Sequence, residues 1–134
     1  MLKTYLVEDS PVIRQSLITT LEELSAIKVV GTAEDEAGAV AWLADAGNPV
    51  ALVIIDIFLK GGSGLGVLRS IHTLALRCHL VVLTNYATDD MRRRCIALGA
   101  SRVFDKSNDI DALIAYCNTL AGGDPDATQT GGLQ

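Results

Sequence analysis

Two unbroken aliphatic runs, Val50-Ala51-Leu52-Val53-Ile54-Ile55 and Leu80-Val81-Val82-Leu83, constrain this chain more than any other feature. Each would be apolar on both faces of an extended strand. That suits the centre of a parallel sheet covered by helices on both sides. Neither run approaches the ~18 apolar residues of a membrane span, so no membrane insertion is expected. Tyr5-Leu6-Val7 reads as a further short buried strand, and Lys28-Val29-Val30 and Val103-Phe104 as weaker ones.

Helical patterns fill the intervals. Ser10 can cap a helix with Pro11 at its first position, where the missing N–H costs nothing. Ile13, Leu17, Leu21 and Leu24 give that helix one apolar stripe. Ala37, Val40, Ala41 and Ala44 stripe a second, which Gly47 and Pro49 terminate. Leu65, Leu68, Ile71 and Ala75 mark a third. Thr88 or Asp89 caps a fourth, with Met91, Cys95 and Leu98 on one side and Gly99 as its stop. Ser107 or Asn108 caps a fifth, carrying Ile110, Leu113, Ile114, Cys117 and Leu120.

Five strands alternating with five helices predict an α/β domain with a parallel sheet. Right-handed crossovers leave few topologies. With the apolar strands 1, 3 and 4 at the centre, the expected order is 2-1-3-4-5, the doubly wound flavodoxin-like arrangement. The expected domain is residues 1–121, with residues 122–134 as a flexible tail rich in Gly, Thr, Asp and Gln.

In such sheets, ligands bind outside the carboxyl ends of the strands. Strand 1 runs into Glu8-Asp9, strand 3 into Asp56 and strand 4 into Thr84, and strand 5 is followed by Lys106. Asp9, Asp56, Thr84 and Lys106 are spaced by 47, 28 and 22 residues, the lengths of βα units. Three acids, a hydroxyl and an ammonium would converge on one rim. Crowded carboxylates repel, and a hard divalent cation removes that cost. Oxygen ligands with open water positions suit Mg²⁺. A carboxylate beside Mg²⁺ and a lysine can accept a phosphoryl group, because both cations neutralise the transferring oxygens.

The strand-1 acids in Leu6-Val7-Glu8-Asp9-Ser10, the acid in Ile54-Ile55-Asp56-Ile57, and the pieces Leu83-Thr84, Leu98-Gly99-Ala100 and Phe104-Asp105-Lys106 carry a resemblance. Over about residues 3 to 121 the chain resembles the receiver domain of two-component response regulators. The resemblance implies that Asp56 is the phosphoacceptor, taking its phosphoryl group from a histidine kinase or a histidine phosphotransfer protein. It implies that Asp9, Asp56 and the backbone carbonyl of Phe58 hold Mg²⁺, with Glu8 acting mostly through water, and that Thr84 and Lys106 bind the phosphoryl oxygens. Asp9→Ala is accordingly expected to weaken Mg²⁺ binding far more than Glu36→Ala, Glu36 being an acid at a helix start. The implied role is a phosphorylation-dependent switch that is not an enzyme. It would signal to a downstream protein effector, or as a homodimer through the fourth-helix to fifth-helix face.

Four positions depart from that family's pattern. Lys60 and Ser107 stand where proline is common, and Asn85 where a smaller residue follows the hydroxyl. Val103 stands where a switching aromatic is frequent, with Phe104 one place later. Asn85 is expected beside the approach to Asp56.

Other features narrow the reading. The net charge is −5, which disfavours direct nucleic-acid binding. The N-terminus lacks a signal-peptide layout, and three cysteines without disulfide or zinc spacing suit a reducing cytoplasm. Gly61-Gly62-Ser63-Gly64-Leu65-Gly66 fails as a dinucleotide fingerprint, because Val67 stands where the third Gly belongs. It reads as a flexible loop beside the acceptor. Arg92-Arg93-Arg94 reads as a solvated helix face, with a partner-binding face as the alternative.

Two other functions share part of this chemistry. A haloacid-dehalogenase-like phosphatase needs a second Asp two residues after the nucleophile, where Phe58 stands. A receiver-like interaction module without phosphate control would not need the acid, hydroxyl and lysine set. The chain as a receiver portion of a longer transcription factor is a further alternative.

Overall fold

A computed structural model describes residues 1–122. The elements are β1 (Leu2–Val7), α1 (Pro11–Leu24), β2 (Ile27–Ala33), α2 (Glu36–Ala44) and β3 (Leu52–Ile55). They continue with α3 (Gly64–Thr73), β4 (His79–Thr84), α4 (Asp89–Ala97), β5 (Arg102–Asp105) and α5 (Ile110–Gly122). All strand pairs are parallel, in the order β2-β1-β3-β4-β5. This is the doubly wound order expected from the apolar centre. The expected tail begins inside α5 at Gly122, and its remainder lies outside the described residues.

Period-two alternation sorts the central strands between two cores. Tyr5, Val7, Val53, Ile55, Leu80, Val82 and Val103 enter the core beneath α2, α3 and α4. Leu6, Leu52, Ile54, Val81, Leu83 and Phe104 enter the one beneath α1 and α5. Runs that are apolar on both faces are thus buried on both faces, where each large side chain contributes about 1.5–3 kcal/mol.

Local chemistry sets the helix ends. The Ser10 hydroxyl accepts from the Ile13 amide and Pro11 follows as the first helical residue. Thr88, rather than Asp89, caps α4, accepting from the Met91 amide.

Several expectations are corrected. Only Leu17 and Leu21 of the α1 stripe are buried; Ile13 and Leu24 are exposed. Helix α2 buries Ala39 and Leu43, while Ala37, Ala41 and Ala44 face outward. Its sequence is apolar nearly all round, so periodicity could not choose the face, and the larger Leu43 and Trp42 win the core. Helix α3 ends at Thr73, before Ala75, which adopts a left-handed φ of 55°. Helix α5 begins at Ile110, because the Asp105 carboxylate accepts from the Ser107 and Asn108 amides and holds them in a turn.

Candidate functional site

The strand ends lie level. Val7 pairs with Ile55, and the Asp56 amide donates to the Val7 carbonyl at 2.9 Å. Thr84 pairs with Asp105, and the Lys106 amide donates to the Thr84 carbonyl at 3.0 Å. Continuing the strand alternation past these ends puts Glu8, Asp56 and Lys106 on the α1/α5 side and Thr84 on the α4 side.

The side chains meet accordingly. The Lys106 ammonium donates to Glu8 Oε1 at 2.5 Å and to Asp56 Oδ2 at 2.8 Å. Glu8, Asp9 and Asp56 each offer a carboxylate oxygen, all within 4.8 Å of one another. Glu8 is 1% exposed and Asp56 7%, while Asp9 is half-buried. Thr84 is fully buried, and its hydroxyl accepts from the Tyr86 amide at 3.1 Å. The Phe58 amide donates to Asp56 Oδ1 at 3.3 Å, so the residue expected to offer a carbonyl also restrains the acceptor.

Glu8 is also held by its neighbours at the start of α1. Its Oε2 accepts from the Ser10 amide at 3.0 Å, and the Arg14 guanidinium donates to its carbonyl at 2.8 Å. Burial pushes the Glu8 carboxyl above the usual carboxylate range, against the lowering pull of the Lys106 and Ser10 hydrogen bonds. For Lys106, burial works to lower the value, but hydrogen bonds and charge from Asp56 and Glu8 outweigh it and raise it. The lysine therefore stays charged between two acids. The donor set fits a hard divalent cation: three clustered carboxylates with one cation to offset them.

The rim also holds side-chain contacts that the sequence reading passed over. Phe58 and Tyr86 pack edge to face, ring centroids 4.6 Å apart, although they are 52% and 59% exposed. They link the loops that follow Asp56 and Thr84. Two aromatics, one two residues after Asp56 and one two residues after Thr84, were a readable signal. Arg92 is not part of a solvated face. Its guanidinium donates to the Ala87 carbonyl at 3.1 Å and the Val103 carbonyl at 2.7 Å, fastening the β4–α4 loop to β5. Arg93 remains on the surface, paired with Asp90.

Of the departures, Lys60 pairs with Glu34 at 2.6 Å. The peptide bond after Lys106 is trans, like every other described one. Asn85 is exposed and lines an open cleft with Lys106, Ile110, Val12 and Ile13. No described helix is long and apolar enough to cross a membrane.

Comparison with known proteins bears on the family and the fold. The family model described as "Response regulator receiver domain" matches residues 4–118. The DNA-binding transcriptional activator DevR/DosR of Mycobacterium tuberculosis is 32% identical over 101 residues, 75% of this chain and 46% of that protein. Response regulator UvrY of Escherichia coli is 28% identical over 123 residues, 92% of this chain and 56% of its own length. The chain thus spans about half the length of these curated relatives. Among solved structures, a response regulator protein from Burkholderia pseudomallei superposes with a TM-score of 0.73 at 23% identity, covering 91% of this chain and 69% of that one. That crystal structure contains a phosphorylated aspartic acid, a calcium ion and citrate.

Proposed function

The chain belongs to the response regulator receiver family of two-component systems, and on that premise we propose that it is a phosphorylation-controlled switch with Asp56 as its phosphoacceptor. One observation carries the reading: the Lys106 ammonium lies 2.8 Å from Asp56, in a cluster with buried Glu8 and half-buried Asp9. The phosphorylated aspartic acid of the Burkholderia relative is the chemical precedent.

In this reading a carboxylate oxygen of Asp56 attacks the phosphorus of a phosphohistidine on a histidine kinase or phosphotransfer protein. The new O–P bond forms as the P–N bond breaks, and the imidazole leaves with the electron pair and takes up a proton. Mg²⁺, held by Asp9, Asp56 and the Phe58 carbonyl with Glu8 behind them, would neutralise charge on the phosphoryl oxygens. Lys106 supplies a second cation at the same oxygens by turning from the Asp56 carboxylate to the phosphoryl group. Phe58 N–H holds one Asp56 oxygen and so orients the other.

The Thr84 hydroxyl currently accepts from Tyr86 N–H, and its proton is free to donate to a phosphoryl oxygen. A turn of that hydroxyl changes its bond to the β4–α4 loop, which Arg92 ties to β5. The signal leaves by that route, toward a protein effector or a second copy docking on the α4–β5–α5 face. The acceptor is stoichiometric rather than a turnover enzyme. The chain acts in the cytoplasm, without touching nucleic acid or inserting into membrane.

A phosphatase of the haloacid-dehalogenase type would need an acid where Phe58 places an aromatic ring against Tyr86. Incubation with a small acyl phosphate and Mg²⁺ tests the proposal. The intact mass should rise by one phosphoryl group, and Asp56→Asn should abolish the gain. An equal gain in that variant, or none in the parent, would overturn it.

A further inference from the structure

The glycine-rich run Gly61–Gly66 does not cradle a nucleotide, and its geometry shows what it accommodates. Glu36 opens α2, where an acid in the first turn would ordinarily serve its own helix dipole. Instead its carboxylate reaches across to the loop that follows Asp56. Glu36 Oε1 accepts from the Ser63 amide at 2.9 Å, and the Glu36 amide donates to the Gly61 carbonyl at 2.9 Å. The two bonds run in opposite directions and strap the loop to α2.

Two glycines leave the space for this carboxylate. A Cβ at Gly62 would lie 2.5 Å from the Glu36 Cβ, and one at Gly66 2.3 Å from Glu36 Oε2. Gly62 also has a φ of 76°, which disfavours a side chain in any case. The strap holds the part of the loop that folds back on the acceptor. Phe58 and Ser63 form an antiparallel bridge, and the Gly64 amide donates to the Ile57 carbonyl at 2.9 Å. Ser63 also caps α3, its hydroxyl accepting from the Leu65 amide at 3.0 Å. A shift of Ser63 therefore moves Phe58, whose amide binds Asp56.

We propose that Glu36 is a positioning residue for the acceptor loop: by clamping Ser63 and Gly61 from α2, it fixes where Phe58 presents its amide to Asp56 and its carbonyl to Mg²⁺. The role rests on the phosphoacceptor reading above. Groups that orient a metal's ligands typically change affinity about 10–100-fold when removed.

The test compares the parent with Glu36→Ala, Glu36→Gln, Gly66→Ala and the double variant Glu36→Ala/Gly66→Ala. Mg²⁺ affinity is read by calorimetry, and amide exchange at Phe58 and Ser63 by NMR without metal. Glu36→Ala should weaken Mg²⁺ about tenfold and speed both amides. Glu36→Gln should recover most of the affinity, because its amide oxygen still accepts from Ser63. Gly66→Ala, which displaces the carboxylate without removing it, should match Glu36→Ala and add little in the double variant. Parental Mg²⁺ affinity in both Glu36→Ala and Gly66→Ala would overturn the proposal, as would equal losses in the Gln and Ala variants. If Glu36→Ala does not fold, Gly66→Ala and Glu36→Gln decide by the same criteria. A parent that neither binds Mg²⁺ nor gains a phosphoryl group would instead refute the underlying reading, while parental exchange at Phe58 in Gly66→Ala would refute the clamp alone.

Discussion

Lys106→Met removes the ammonium between Glu8 and Asp56 while keeping the length and apolar stem of the side chain. Two buried acids then face each other with oxygens within 4.8 Å. If both stay ionised, their repulsion is about 3.5 kcal/mol at an effective dielectric of about 20. The alternative is to protonate Glu8. Its ordinary value is 4.5, so near pH 7 a proton costs at most about 3.4 kcal/mol at about 1.36 kcal/mol per unit. Burial has already raised Glu8, so the true cost is smaller. The cheaper route caps the loss, giving an expected destabilisation of about 2–3 kcal/mol near pH 7.

The sign of the pH dependence follows. A carboxyl whose folded value is raised leaves the folded state holding more protons than the unfolded one, so stability falls as pH rises through the raised value. The Lys106→Met deficit should therefore shrink as pH is lowered from about 7 to about 5. Added Mg²⁺ should reduce it as well, because the acids without their ammonium bind the cation more tightly than the parent site does. In the parent, Lys106 is raised above 10.5, so its contribution is present below that value and lost as pH climbs through the folded one. The variant should lack this alkaline loss. Urea unfolding followed by the fluorescence of Trp42, which stacks on Tyr5 at 4.1 Å, measures all three effects. Parental stability near neutral pH, or a deficit unchanged on acidification, would mean that Lys106 does not offset repulsion between Glu8 and Asp56.

Three further outcomes are expected. Gly64→Ala would set a Cβ 2.2 Å from the Asp56 carbonyl oxygen, backbone against side chain with nothing flexible to yield; urea unfolding should show a loss of about 1–3 kcal/mol. Phe58→Ala and Tyr86→Ala should couple by about 0.5–1.5 kcal/mol in a double-mutant cycle, and strict additivity would show that the ring pair does not tie the two loops. Tyr5 is raised by burial, then by Asp35, from 10.0 to about 12. The folded state keeps that proton longer than the unfolded one, so stability should fall as pH rises between these values, and Tyr5→Phe should remove that part of the slope.

The fold was legible because its central strands are apolar on both faces, and little but a covered parallel sheet accommodates them. The rim was legible for a related reason. Acids, a hydroxyl and a lysine directly after buried strands have positions fixed by the sheet, so Glu8, Asp56 and Lys106 could be brought together from spacing. What escaped depended on competition or on backbone partners. Helix α2 is apolar nearly all round, and only packing shows that Ala39 and Leu43 face inward. Arg92 looked like one of three solvated arginines, yet two carbonyls draw it inward. Glu36 bonds a loop 27 residues away, and no local pattern encodes that reach. Its only trace in the sequence was the surplus of glycine opposite it.

Borohydride reduction of the phosphorylated chain, followed by peptide mass mapping, identifies the phosphoacceptor itself. An acyl phosphate on an aspartate is reduced to homoserine, which marks the acceptor covalently. Homoserine is expected at position 56 alone, dependent on Mg²⁺ and absent without the phosphodonor. Reduction at Glu8 or Asp9, or none at position 56 in a chain that has gained a phosphoryl group, would contradict Asp56 as the acceptor.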